Sequence, residues 1–459
     1  MNRILMCGAS IAAICTSTPA LAQDVDAAAV LEELAAMRAE MAAMANRIES
    51  LESELETAQQ VAAQANAAAA AASESAAAAS ESAAAAGDTQ IAFKGAPEIK
   101  GESGWSFKPR GRLQYDAGFV SSPDSTGRPD GFGNEVRRAR LGVQGDMPGG
   151  FGYKFELDFD GTDVAITDGF LSYATGDVEF VIGQHNNFQG LEELTSSLSI
   201  SHMERAAFTD AFGFERRVGA SATYANDAVL VQGGLFTDAV DDLSNKNWGV
   251  DGRVVYFPKL GETQLHFGGS VHYTDLESGM TVRYRQRPAV HFTSERFINT
   301  GNLGASSEFG FGGEVAIVHG PFHATGEAFW QNVDRPGALT DPTFFGGYVE
   351  VGLFLTEGDS RGYKGGKFDR IKPGSPVGEG GAGAVQVNVR YDRLDLNDGG
   401  IIGGTQDAFL ASLIWSPTDW TRFMLGYAHL KYEDAVHPTA GGDTSYSVDS
   451  LGVRAQIDF

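Results

Sequence analysis

The chain contains almost no cysteine: its two, Cys7 and Cys15, both lie among the first 22 of 459 residues. Those residues read as a secretory signal. Arg3 supplies the positive start, Ile4 to Ile14 is a short apolar stretch, and Ala20-Leu21-Ala22 is an A-x-A cleavage site. The mature protein then has no cysteine, which excludes disulfides and thiolate metal sites. Long hydrophobic runs are missing too. The stretch at Ile4 to Ile14 is too short to cross a bilayer, and no later window offers some eighteen apolar residues. A β-barrel is the one membrane-spanning option left. Basic charge is scarce, with 34 Lys and Arg against 60 Asp and Glu and a net charge of −26. The first 87 residues hold 3 of the basic and 11 of the acidic groups, so the remainder carries 31 against 49, or −18. Phosphate-backbone binding needs a basic surface, so a nucleic-acid partner is disfavoured.

What is present divides into two unlike parts. Between residues 23 and 65, Ala27, Val30, Leu34, Met37, Met41, Met44, Ile48, Leu51 and Leu55 recur at alternating spacings of three and four. That 3.5-residue period predicts a coiled coil, with a lone amphipathic helix as the alternative. Residues 66–104 follow as an Ala-rich spacer and linker, in which Ser-Glu-Ser recurs at 73–75 and 80–82.

From about Trp105 the period switches to two. Phe151, Tyr153, Phe155 and Leu157 alternate with Lys154, Glu156 and Asp158, and Val387, Val389 and Tyr391 with Asn388, Arg390 and Asp392. Successive strand side chains point to opposite faces, so each segment has one apolar and one polar surface. Tight turns near 148, 175, 226, 259, 320 and 418 alternate with long polar loops. Those loops fall near 121–133, 186–212, 238–247, 277–306, 334–342, 397–406 and 434–447. Sixteen strands fit residues 105–459, an even number, as an outer-membrane barrel requires. A soluble sandwich explains charge on one face of each strand. It explains poorly sixteen such strands with this loop asymmetry. The last segment, Ser450 to Phe459, alternates without a fault and ends the chain on an aromatic residue. The long Gly-rich segment Thr356 to Gly383 breaks the pattern, because it falls on the short-turn side.

Several stretches carry a more specific signal. Phe188-Gln189-Gly190-Leu191-Glu192-Glu193-Leu194-Thr195-Ser196-Ser197 with His202-Met203-Glu204-Arg205, the run Phe354 to Arg361, Arg390 to Asp398 and the closing Arg454 to Phe459 together resemble the phosphate-selective porin O/P family. The resemblance implies a sixteen-stranded outer-membrane barrel, a homotrimer, and a third loop folded inward to narrow the pore. It places that constriction at 186–212, with Glu192, Glu193, His202, Glu204 and Arg205 as its polar residues and Glu204 and Arg205 holding it to the wall. It further implies anion preference set by basic lumen residues. By alternation, Arg110, Arg112, Arg138, Arg140, Lys154, Arg217, Arg390 and Arg454 face inward and line the pore. Asp116, Glu156, Asp158, Asp160, Asp392 and Asp458 share that lumen, so phosphate selectivity and a broader anion preference both stay open.

No cofactor or metal set emerges. His266 and His272, and His319 and His323, sit at even spacings, but no Cys or acidic partner completes a plausible metal set, and they read as lumen or rim residues. Nothing singles out a Ser-His pair, and no enzyme activity is expected. The chain reads as an outer-membrane porin of a Gram-negative bacterium, a passive channel for small anions. Its coiled coil stands in the periplasm, and outer-membrane lipid, lipopolysaccharide and peptidoglycan are its expected partners. The alternative is a structural tether whose coiled coil holds the cell wall.

Overall fold

The structure is a computed structural model, and it describes residues 47, 52, 55, 59–75, 90–161, 164–240 and 246–459. The signal segment and most of the expected coiled coil lie outside these residues. Within the first part of the chain, residues 59–75 are helical and exposed throughout. Inside the linker, Gln90–Lys94 and Ala96–Lys100 form an antiparallel hairpin whose second strand pairs Ile99 with Phe107.

Sixteen strands follow. They are β1 Ser106–Ser121, β2 Gly131–Met147, β3 Phe151–Asp158, β4 Ala165–Thr175, β5 Val178–Asn186, β6 Arg216–Ala225, β7 Val229–Phe236 and β8 Trp248–Tyr256. The second half comprises β9 Thr263–Asp275, β10 Ser307–His319, β11 Phe322–Asp334, β12 Thr343–Phe354, β13 Ala384–Asp398, β14 Ile401–Thr418, β15 Thr421–Glu433 and β16 Tyr446–Asp458. Each pairs antiparallel with the next, and β16 pairs with β1, so the sheet closes. At the seam Arg454 lies opposite Asp116, and Gly111 and Phe459 exchange both backbone hydrogen bonds. Closure leaves no unpaired edge, the condition for a sheet to stand in hydrocarbon.

Alternation sorts the two faces as the chemistry demands. On β16, Leu451, Val453 and Ile457 are exposed outside, while Ser450, Arg454, Gln456 and Asp458 are buried inside. Phe309, Phe311, Val315, Val349, Phe409, Leu413, Tyr427 and many like them continue the outer apolar band.

Three features depart from the sequence expectations. The loop expected at 397–406 is almost all strand: β13 and β14 run to a two-residue turn at Gly399-Gly400. The mouth end of the lumen, where alternation gives polar side chains, is partly apolar. Phe208, Phe212, Phe214, Tyr284, Phe297, Phe329 and Phe344 form a buried aromatic core between the loops 187–215 and 276–306 and the wall. Segment 355–383 does not hang free, since its hairpin Gly362–Lys364 and Lys367–Asp369 packs inside the barrel. Phe368 there is buried against Leu191, Ala316 and Val318.

The outward face of β16 sets a direct test. Val453→Arg places a charge in the lipid-facing band and should cost about 2–4 kcal/mol. Urea titration of folding into lipid vesicles measures this, and a loss below about 1 kcal/mol would contradict a lipid-facing Val453.

A constriction between two lumen cavities

Residues 187–215, between β5 and β6, cross the barrel and are fastened to the opposite wall. The short helix Leu191–Leu194 begins on Glu327, whose two carboxylate oxygens accept the Leu191 and Glu192 N–H groups at 2.7 and 2.8 Å. Farther along, residues of the wall and Arg361 of segment 355–383 grip the loop's own carbonyls. Arg422 donates to Leu198 and Ile200, Arg361 to Ser199, Gln456 to Leu198 and Ser412 to Ser201. Guanidinium forks suit this work, because one side chain reaches two acceptors at fixed geometry. Gly346 leaves room for the helix Ala207–Ala211, since a Cβ there would stand 2.3 Å from Phe208 Cβ.

The constriction residues divide by partner. Glu204 takes a bidentate pair from Arg137 at 2.9 and 2.9 Å and a third bond from Arg454 at 3.0 Å. Glu192 reaches Arg390 at 2.9 Å, and Arg390 also holds Glu350 at 2.6 Å. His202 is buried with Glu350 at 3.5 Å. Burial, with the Arg390 charge beside it, pushes its pKa down to about 3, so this imidazole is neutral. Arg205 does not hold the wall in the manner expected. It folds back on its own loop, donating to the carbonyls of Glu192, Glu193 and Thr195 and pairing with the Glu193 carboxylate at 3.3 Å.

The eight basic residues picked out by alternation fall into three groups. Arg390 and Arg454 are buried, 3% exposed each, and spent on carboxylates: Arg454 binds Asp116 at 2.6 and 2.7 Å besides Glu204. Arg217 donates to Thr274, three strands along the wall on β9, at 3.2 Å. The remaining five, Arg110, Arg112, Arg138, Arg140 and Lys154, stand together on β1–β3 and line one cavity of about 280 Å³. A second cavity of about 240 Å³ lies toward the loop 276–306, near Arg287 and His291. Both cavities are lined by Arg138, Arg140, Glu193, Arg205 and Arg216, so these five side chains form the neck between them. Arg140 is paired with Asp158 at 2.5 Å, Arg216 with Asp168 at 2.9 Å and Arg205 with Glu193. Arg138 donates to Gln114 at 2.9 Å and makes no ion pair among the described residues.

Alternation missed Arg137 and Arg216. Gln114 pairs with Arg138 but Tyr115 with Val136, so Arg137 is the extra residue of a β-bulge and turns inward beside Arg138. A signal was available: strict alternation would have left Arg137 facing lipid, at a cost of about 2–4 kcal/mol. A second bulge between β3 and β4 leaves both Thr167 and Asp168 inside. Arg216 follows, since it reaches Asp168. The histidines do have acidic partners after all, across strands rather than along the chain: His272 with Asp251, and His266 with Glu314 at 3.4 Å. No group of three or more metal-ligating side chains occurs among the described residues.

Glu204 gives a pH test. Burial alone would raise its pKa, but the Arg137, Arg138 and Arg454 charges hold it well below the unperturbed 4.5. A depressed carboxylate contributes stability above its unfolded pKa and loses it as pH falls through the folded value. Single-channel conductance should therefore stay flat from neutral pH down through the ordinary carboxylate range. A step between about pH 4 and 5 in wild type that Glu204→Gln abolishes would contradict the clasp.

Comparison with known proteins agrees with this architecture. The sequence pattern of the family described as phosphate-selective porin O and P matches residues 107–459. An uncharacterized protein of Caulobacter vibrioides is 48% identical over 385 residues, covering 81% of this chain and 77% of its own. Among solved structures, the outer-membrane expressed OmpT of Vibrio cholerae superposes with a TM-score of 0.52 at 11% identity, over 81% of this chain and 100% of its own. The anion-selective porin from Comamonas acidovorans gives 0.51 at 14%, over 77% of this chain and 100% of its own. At such identities these two likenesses speak for the fold alone. With its family pattern spanning the whole barrel, the chain belongs to the phosphate-selective porin O and P family of outer-membrane porins.

Proposed function

We propose that this porin passes small hydrophilic anions, inorganic phosphate among them, by passive diffusion through the neck at Arg138. The observation that carries the reading is the guanidinium group left over in that neck, where Arg138, Arg140, Arg205 and Arg216 meet the carboxylates of Glu193, Asp158 and Asp168. Three of the four are already committed to carboxylates, which leaves Arg138 as the group able to take a passing anion. Fixed donors in a narrow lumen replace part of an anion's hydration shell, and a guanidinium fork matches the oxygens of phosphate or carboxylate. Arg110, Arg112 and Lys154 carry the positive wall onward below the neck. The constriction residues Glu192, Glu193, His202, Glu204 and Arg205 act in this reading as the loop that sets the bore. Arg390 and Arg454 act through that loop as fasteners.

Arg138→Gln keeps a hydrogen-bonding side chain and removes the charge. In a salt gradient across a planar bilayer, it should lower the chloride-to-potassium permeability ratio at least about twofold, the effect of one unit charge at the neck. It should also weaken the block of chloride current by phosphate. A ratio equal to wild type would remove the reading. Phosphate that never competes with chloride would narrow it to anions in general.

A second role rests on the N-terminal part of the chain. The heptad stripe and the exposed helix at 59–75 suit a periplasmic coiled coil that joins three copies and holds peptidoglycan. Deleting residues 23–65 should abolish co-sedimentation with cell-wall sacculi and leave single-channel conductance unchanged. Undiminished sedimentation would contradict the tether.

A further inference from the structure

We propose that Lys367 is a specificity-determining residue of the pore, an ammonium group carried into the lower cavity by segment 355–383 to contact anions in transit. The inference rests on the anion reading and adds to it a residue from outside the barrel wall and the third loop.

Segment 355–383 enters from the periplasmic end, between β12 and β13, and reverses at Gly365-Gly366. Both glycines have positive φ, 57° and 74°, the backbone that a two-residue hairpin turn requires. A Cβ on Gly366 would also stand 2.9 Å from Leu230 Cδ2, so the turn is seated closely against β7. Two contacts fix it there. Arg253 Nη2 donates to the Gly366 carbonyl at 2.9 Å, and Arg253 is itself held by Glu314 at 2.8 Å. Tyr363 Oη lies 2.6 Å from His266 Nδ1.

Alternation then decides where the neighbouring side chains go. Phe368, 3% exposed, is the anchor and packs on Leu191 of the constriction loop and on Ala316 and Val318 of β10. Its neighbours Lys367 and Asp369 are exposed and line the lower cavity with Arg110, Arg112 and Lys154. The cations differ in their freedom. Lys154 is tied to Asp168 at 2.5 Å and Arg112 faces Glu156 at 3.6 Å. Lys367 makes no hydrogen bond or ion pair among the described residues. Enclosure by the barrel lowers the pKa of its ammonium group, and the Arg253 and Lys154 charges add to the fall. An anion beside it offsets both effects. A compact, strongly hydrated charge on a flexible stem favours brief contact over tight capture, as a conducting site needs.

The test compares Lys367→Gln, Lys367→Arg and Lys364→Gln with wild type and with Arg138→Gln in oriented planar bilayers. Lys364 pairs with Lys367 across the turn and is exposed, but does not line the cavity. Heat-modifiable migration on gels first shows that each variant is folded. Lys367→Gln should lower the chloride-to-potassium permeability ratio by about twofold, as one unit charge in a wet lumen does. It should weaken phosphate block more from the periplasmic side than from the other. Lys367→Arg, which keeps the charge, should keep the wild-type permeability ratio, and Lys364→Gln should match wild type throughout. If Lys367→Gln matches wild type while Arg138→Gln loses selectivity, this proposal falls and the anion reading stands. If neither variant changes the ratio, the anion reading falls and takes this proposal with it.

Discussion

A bilayer offers no hydrogen-bond partner to a peptide group or a charge, and the rest of this structure follows from that constraint. Backbone groups find their partners by closing sixteen strands into a ring. Most side-chain charges, kept out of the apolar band, collect on the inner face. There they meet at distances where unpaired charge is costly, so carboxylates and guanidinium groups settle against each other. Asp116 with Arg454, Glu350 with Arg390, and Glu314 with Arg253 are the clearest pairs. The lumen charges thus fall into two classes, those that neutralise one another and those left to act on a solute.

The constriction loop lies at the boundary between the classes. Its carbonyls and its acidic residues Glu192 and Glu204 absorb Arg361, Arg422, Arg390 and Arg454 on one side of the barrel, and Glu204 takes Arg137 of β2 as well. The other side, on β1–β3, keeps Arg110 and Arg138 without a carboxylate partner among the described residues. One loop therefore both narrows the channel and gives it a direction of charge. Counting arginines would not reveal this, because about as many guanidinium groups secure the loop as face the open cavities.

Much of the fold was legible in the sequence. The period of two, the turn signals and the alternating loop lengths identify the strands, since these features report local sterics and the contrast between lipid and water. The inward set on β1–β3 was legible for the same reason. What escaped was non-local. Arg137 turns inward because β2 carries one residue more than β1 at that point, which only the pairing of the two strands reveals. His272 and His266 gain acidic partners from neighbouring strands. Segment 355–383 looked like a misplaced loop, because the contacts that draw Phe368 inside belong to Leu191, Ala316 and Val318, remote in sequence. Gly399-Gly400 read as loop, although two glycines of positive φ (60° and 83°) make the tight turn that lets β13 and β14 run on.

The central claim is that charge left unpaired at the neck, and not the strongly acidic chain as a whole, sets the preference of the channel. The reversal potential of the wild-type protein in a potassium chloride gradient tests it most directly. The account predicts the sign of an anion-preferring pore, in spite of a net charge of −26. The sign of a cation-preferring pore would contradict it.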